Sequence, residues 1–272
     1  ATGVVIAYNG EIYNYQGLRR EFPPDLLQSN SDTEVILRLY LREGINCVRH
    51  LRGMFAFAIW DPRDRSLHLA RDRFGIKPLF YGYSGDAVVF GSEISSLLAL
   101  GMRHQPNLGV MMDYLSTGRV AHSAETFFAG IRSLDTATTA SLRGGVLTTT
   151  RYWSPRELYV EENVDDDPEE RLWALLQDSI QHHMVSDVEV GISLSAGLDS
   201  QMITRVLAAT GRDDIHSFTF GYDEPGYDEV APVEATDFGI SLKRHAYRMR
   251  PETMIDDLEE AISTYEVPLG GL

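Results

Sequence analysis

Val188-Glu189-Val190-Gly191-Ile192-Ser193-Leu194-Ser195-Ala196-Gly197-Leu198-Asp199-Ser200 is the stretch that decides the fold of the second half of this 272-residue chain. Its first seven residues predict a strand over 188–194, its middle a loop of small residues, and Ser200–Ala209 a helix. Upstream, Glu169–Met184 predicts another helix. Downstream, strands at His216–Phe220 and Leu242–Tyr247 flank a helix at Glu229–Phe238. Strand and helix alternating at this spacing point to a parallel, doubly wound α/β sheet. Three strands leave it incomplete, because one flank stays uncovered. Ligands of such sheets bind beyond the carboxyl ends of the strands, where Leu194, Ser195, Ala196, Gly197, Leu198, Asp199 and Ser200 fall. Small residues let backbone N–H groups approach an anion, and the helix start adds its positive end. Ser195 and Ser200 can add hydroxyl donors. Asp199 makes sense beside phosphate only as a ligand of a bridging Mg²⁺. A plain turn, with Asp199 or Ser200 capping the helix, explains the same spacing. A Walker A loop is excluded, because no Gly-Lys-Ser/Thr follows.

The first half has a different rhythm. Val4–Tyr8 predicts a strand, and Asn9-Gly10 after it is a turn signal. Ser31 stands three residues before Glu34, the spacing of a capping box, so a helix is expected to start here and to end at Gly44. Strands are expected at Met54–Trp60, buried on both faces, and at Leu67–Arg71, Leu79–Tyr83 and Ala87–Gly91, with a short helix at Ile94–Leu100. This is an α+β pattern of antiparallel sheets with flanking helices. The acidic run Glu161–Pro168 predicts a linker, giving domains over 1–160 and 168–272.

Composition narrows the functions available. The chain carries 40 acidic and 24 basic residues, a formal charge of −16, which argues against nucleic-acid backbone binding. No window approaches the ~18 consecutive apolar residues of a membrane span. The single cysteine, Cys47, excludes an intrachain disulfide and fits a reducing cytoplasm. It sits at a core position and is read as a small hydrophobe, not a nucleophile.

Ser195-Ala196-Gly197-Leu198-Asp199-Ser200 resembles the Ser-Gly-Gly-Leu-Asp-Ser pyrophosphate loop of the asparagine synthetase family, an N-type ATP pyrophosphatase. The flanking His183–Val188, Ser217–Gly221 and Tyr227-Asp228-Glu229 fit it too. The resemblance implies ATP and Mg²⁺ as cofactors, Phe220 and the first strand at the adenosine, and adenylation of a carboxylate with release of pyrophosphate. Tyr8-Asn9-Gly10-Glu11-Ile12-Tyr13-Asn14 resembles the signature of class II glutamine amidotransferases, which implies an Ntn-hydrolase-like fold. Asn9 and Gly10 then match the oxyanion hole, and Asp32 the carboxylate that holds the α-amino group of glutamine. Taken alone, Asn9-Gly10 is an ordinary hairpin turn and Asp32 a helix-start charge. Further matches at Leu51–Asp61, Arg71–Leu79 and Ser92-Glu93 are read as core and domain-interface positions, with Arg71, Arg73 and Lys77 in structural ion pairs.

The resemblance implies glutamine hydrolysis feeding ammonia to a β-aspartyl-AMP intermediate, with glutamine, aspartate and ATP as small-molecule partners and a homodimer as one candidate assembly. Some relatives amidate a sugar acid or a peptide carboxylate instead, and a non-catalytic scaffold is a further alternative. The chain departs from the family at Ala196, which replaces a glycine, and at Val267, which replaces a carboxylate. The nucleophilic cysteine is expected ahead of Val4, and a later acidic loop and a catalytic lysine beyond Leu272. The sequence is therefore expected to be part of a longer enzyme.

Overall fold

The computed structural model describes residues 2–158, 167–213, 215–223 and 226–268. The linker expected at 161–168 falls almost wholly outside the described residues. The chain divides into two compact units, one of Ala1–Val160 with Ala261–Leu272 and one of Glu161–Glu260.

The first unit begins with strand β1 (Val5–Ile12), the short helix α1 (Tyr15–Arg19) and helix α2 (Asp32–Glu43). Strands β2 (Gly53–Asp61), β3 (Ser66–Arg71), β4 (Phe80–Ser84) and β5 (Ala87–Gly91) follow, then helices α3 (Ile94–Ala99) and α4 (Leu108–Thr117). Strands β6 (Ile131–Ser133), β7 (Thr138–Arg143) and β8 (Val146–Arg151) complete it. One antiparallel sheet has the order β1-β2-β3-β7-β8 and the other β5-β4-β6. α2 lays Val35, Ile36 and Leu39 on one face of the larger sheet, against Ile12, Phe55, Phe57 and Ile59. The opposite face, with Ala56, Ala58 and Leu69, packs on Tyr81 of the smaller sheet and on Leu79 just before β4. α3 covers the far side of that sheet through Ile94 and Leu97. The result is a helix–sheet–sheet–helix sandwich, the α+β pattern of antiparallel sheets with flanking helices expected of this half.

Two local expectations are corrected. Asn9-Gly10 is no turn: β1 runs through it to Ile12 and pairs with β2 along its whole length. The reason is tertiary. Gly10 lies so close to β2 that a Cβ there would stand 2.2 Å from the Met54 carbonyl oxygen and 2.7 Å from Phe55 Cα. Glycine is required by that approach, not by a turn. At α2, Ser31 does cap the helix, accepting the Thr33 N–H at 3.2 Å, but the reciprocal arm of the capping box is missing. The Glu34 carboxylate instead takes the N–H groups of Gln28 and Ser29 and pairs with Arg38. Burial works to raise its pKa, yet the Gln28, Ser29 and Arg38 bonds outweigh that and hold it at about 2.

The second unit carries helix α5 (Pro168–His183), strand β9 (Gly191–Ser193), helix α6 (Leu198–Ala209), strand β10 (Ile215–Tyr222), helix α7 (Val230–Ala235) and strand β11 (Leu242–Met249), and it includes the start of helix α8 (Met254–Tyr265). The sheet order is β11-β10-β9, parallel throughout. β9 is shorter than expected, α6 starts two residues earlier and α7 is only six residues long. Leu194, Val233 and Phe238 form the core on the α6–α7 side. No helix among the described residues is long and apolar enough to cross a membrane.

Candidate functional site

The first site is built on β1. Phe55, opposite Gly10 in the register, spends both its backbone groups on Asp72: its oxygen accepts the Asp72 N–H at 2.8 Å, and its N–H donates to Asp72 Oδ2 at 3.2 Å. Gly10 and Phe55 are therefore a non-hydrogen-bonded antiparallel pair, and the Gly10 N–H points away from β2 to the outer edge of the sheet. No described strand pairs with that edge. Ile12 has the same parity, and its N–H donates to Asp32 Oδ2 at 3.0 Å. Tyr8, two residues the other way, donates its hydroxyl to the same oxygen at 2.6 Å. Burial, then the bond to Asp32, pushes the Tyr8 pKa well above the ordinary phenol value, so Tyr8 stays a donor.

Of the three expected residues, Gly10 and Asp32 thus come together. Gly10 sits between the two residues that tether Asp32, and its N–H faces the flank on which Asp32 is held. Only one oxygen of Asp32 is fixed this way. Oδ1 has two long hydroxyl contacts, Ser31 at 3.4 Å and Thr33 at 3.5 Å, and retains capacity for a cation. Asn9 directs its side chain to the other face, where Nδ2 donates to Ser92 Oγ at 3.1 Å. An amide nitrogen has two protons, so one stays available. Ser92, read from sequence as an interface position, is the neighbour to which the Asn9 amide is bonded, a pairing that sequence reasoning missed.

Other expectations resolve beside it. Cys47 is fully buried, and burial pushes its thiol up to about 12, so it is chemically inert. Arg71 is structural, but its partners are the carbonyls of Lys77, Leu134 and Gly75 and the Ser133 hydroxyl, not a carboxylate. Glu266, beside Val267, takes the N–H groups of Ile94 and Ser95 at the start of α3.

The second site is the loop between β9 and α6. Leu194 extends the pairing with β10, donating its N–H to Phe218 O at 2.9 Å and accepting from Thr219 Oγ1 at 2.8 Å. Phe220 lies two residues further along this parallel register, 59% exposed, with its ring edge-on to Tyr247. The Ser195 and Ser200 hydroxyls lie 2.8 Å apart, and Ser200 Oγ accepts the Ser195 N–H at 3.0 Å. Ser195 Oγ accepts the Gly197 N–H at 3.2 Å. The Ala196 N–H donates to Glu229 Oε2 at 3.2 Å. Ala196 has no positive φ, and Gly197, at φ −72 and ψ 151, caps α6 without a side-chain bond. The methyl group of Ala196 therefore causes no backbone strain. Asp199 and Leu198 stand exposed on the first turn of α6. Among the described residues no group of three or more His, Cys, Asp or Glu is placed to hold a metal. A metal here would take Asp199 and complete its shell with phosphate and water, which is the habit of Mg²⁺.

A helix–sheet–sheet–helix unit with a backbone N–H and an anchored carboxylate on one strand edge, followed in the chain by a parallel α/β unit with a small-residue loop, fits a two-part protein of the amidotransferase class. The chain belongs to the glutamine amidotransferase domain family, whose model matches residues 1–153, and the asparagine synthase family model matches residues 171–271. It is 32% identical over 287 residues to asparagine synthetase [glutamine-hydrolyzing] 3 of Bacillus subtilis, covering 97% of this chain and 45% of that one. It is 38% identical over 230 residues to asparagine synthetase [glutamine-hydrolyzing] 2 of the same organism, covering 79% and 30%. To a putative asparagine synthetase [glutamine-hydrolyzing] 2 of Methanocaldococcus jannaschii it is 29% identical over 276 residues, covering 98% and 52%. The chain spans about half or less of the length of these relatives.

Proposed function

We propose that the protein is a glutamine-dependent asparagine synthetase, releasing ammonia from glutamine in the first unit and using ATP in the second to activate the β-carboxylate of aspartate as an acyl adenylate. One observation carries this reading: the β1 edge presents the Gly10 N–H on the flank where Tyr8 and Ile12 hold Asp32. This suits an amino-acid amide. Asp32 Oδ1 takes the α-ammonium group of glutamine, and the Gly10 N–H with the second Asn9 amide proton receives the oxygen that turns negative as the amide is attacked. Neutral donors fixed in advance serve that charge at little reorganisation cost. In the second unit Leu194–Ser200 holds the pyrophosphate portion of ATP and Phe220 lies against the adenosine. Asp199 would hold the Mg²⁺ that neutralises phosphate charge in adenylation.

The test is product stoichiometry. The full-length protein is given ATP, aspartate and glutamine, and pyrophosphate, asparagine and glutamate are quantified. One pyrophosphate per asparagine is expected. Pyrophosphate with another carboxylate but none with aspartate sinks the asparagine assignment while leaving the amidotransferase reading intact.

A further inference from the structure

The loop after β9 has three consecutive N–H groups, and their acceptors differ in kind. Ser195 and Gly197 donate to hydroxyls, those of Ser200 and Ser195. A hydroxyl can rotate and become a donor, so these two acceptors turn into phosphate ligands when an anion arrives. Ala196 donates to the carboxylate of Glu229, which is charged and has no proton to offer. A phosphate oxygen at the Ala196 N–H has to displace it.

The position of Glu229 is built into the fold. Its neighbour Asp228 accepts the Val230 N–H at 3.1 Å and the Ala231 N–H at 3.4 Å at the start of α7, and two nitrogens of Arg248 on β11 at 3.2 Å each. Arg248 also donates to the Tyr222 carbonyl. The turn lies so close to β10 that a Cβ on Gly221 would stand 2.6 Å from Asp228 Oδ1 and 2.6 Å from Val230 Cγ2. β10, β11 and α7 thus fix the stub from which the half-buried Glu229 reaches the loop.

We propose that Glu229 is a specificity-determining residue of the pyrophosphate loop, an internal anion that competes with phosphate for the Ala196 N–H and sets the affinity that a ligand must exceed. This rests on the reading of Leu194–Ser200 as the pyrophosphate site. A simple anion gains the Ala196 N–H only by expelling a like charge. A nucleotide compensates with contacts elsewhere, such as those of its base. Glu229 therefore discriminates against bare phosphate and pyrophosphate.

The experiment is titration calorimetry of metal-free pyrophosphate, in EDTA, against the 272-residue chain and its Glu229→Gln, Glu229→Ala and Glu234→Gln variants. Glu229→Gln keeps an acceptor for the Ala196 N–H and removes only the charge. Glu234→Gln removes the same charge from an exposed position on α7. Losing one like charge at contact distance in a partly screened site is expected to tighten pyrophosphate binding about tenfold in both Glu229 variants. Glu234→Gln is expected to change it by less than about twofold. Unchanged or weaker binding in Glu229→Gln, or equal tightening in Glu234→Gln, overturns the proposal. If the parent chain binds ATP and Glu229→Gln binds pyrophosphate no better, only the role of Glu229 falls. If neither ligand binds any of the four proteins, the reading of the loop itself fails and takes this inference with it.

Discussion

The two sites are made by opposite means. On β1 the geometry comes from the main chain of a sheet: Gly10 and Ile12 aim their N–H groups by strand parity, and Asp32 is tied to that edge by Ile12 and Tyr8. The donors are set before any ligand arrives. The loop after β9 is closed on itself by two serine hydroxyls and one carboxylate, so a ligand there has to exchange partners. Chemistry that must stabilise a charge for the lifetime of a transition state gains from fixed donors. A site that binds and releases a polyanion in each cycle gains from partners that turn. Substitutions at matching positions in the two sites should therefore behave differently.

The largest contrast is between two glycines. Gly10→Ala drives a methyl group into the backbone of β2, and overpacking of this kind costs about 3 kcal/mol or more. Gly197→Ala places its methyl 3.2 Å from Ser195 Oγ at a φ of −72, and the expected change is within about 0.5 kcal/mol. Urea denaturation of each variant checks this, and equal losses would erase the distinction between a site built on sheet backbone and one closed by side-chain partners. Next comes Asp32→Asn. With the charge gone, the α-ammonium group of glutamine loses its counter-ion, and affinity should drop roughly 100-fold, about 2.7 kcal/mol. Tyr8→Phe leaves the charge but frees one tether, and roughly tenfold is expected. Calorimetric glutamine titration of the full-length protein separates the two, and a Tyr8 effect as large as that of Asp32 would mean orientation matters more than charge.

How much of this was legible in the sequence depends on how far apart the partners lie. The loop Leu194–Ser200 was legible because everything it needs is local: small residues between a strand and a helix. The capping serine of α2 was legible for the same reason. Asn9-Gly10 misleads, because the dipeptide carries a turn signature while the cause of its glycine is the approach of Met54 and Phe55 from another strand. Ser92 and Glu229 were read only as flanking family matches, because the residues they bond lie 83 and 33 positions away. Strands β7 and β8 were overlooked although Gly144-Gly145 between two threonine-containing runs is a hairpin signal.

A smaller effect tests how firmly the frame of the first site is held. Glu34 pins the segment before α2 through Gln28, Ser29 and Arg38, and its folded pKa of about 2 lies below the ordinary carboxylate value. A depressed carboxylate contributes stability that is complete above its unfolded pKa and is lost as pH falls through the folded one. Glu34→Gln should therefore cost about 1–2 kcal/mol at neutral pH. The gap between the two melting curves should narrow as pH falls from the unfolded value, about 4.3, towards 2. A gap that stays constant down to the acid limit would mean that shape rather than charge anchors the segment.

The smallest expected effect probes the side chain of the first site that is not fixed by the main chain. Asn9 is exposed, and its amide is steered by the single bond from Nδ2 to Ser92 Oγ. Ser92→Ala removes that acceptor without touching the Gly10 N–H or Asp32. If the second amide proton of Asn9 serves the developing oxyanion, its loss of direction should lower kcat for glutamine hydrolysis by the full-length enzyme roughly fivefold, about 1 kcal/mol. KM should stay unchanged, since ground-state binding rests on Asp32. Ser92→Thr restores a hydroxyl at the same place and should recover most of the rate, which a merely structural defect would not. A change confined to KM would move Ser92 from positioning the oxyanion donor to shaping the glutamine pocket. No change in either constant would show that the Asn9 amide is as well fixed as the backbone beside it, and the contrast between the two sites would then extend to every donor on β1.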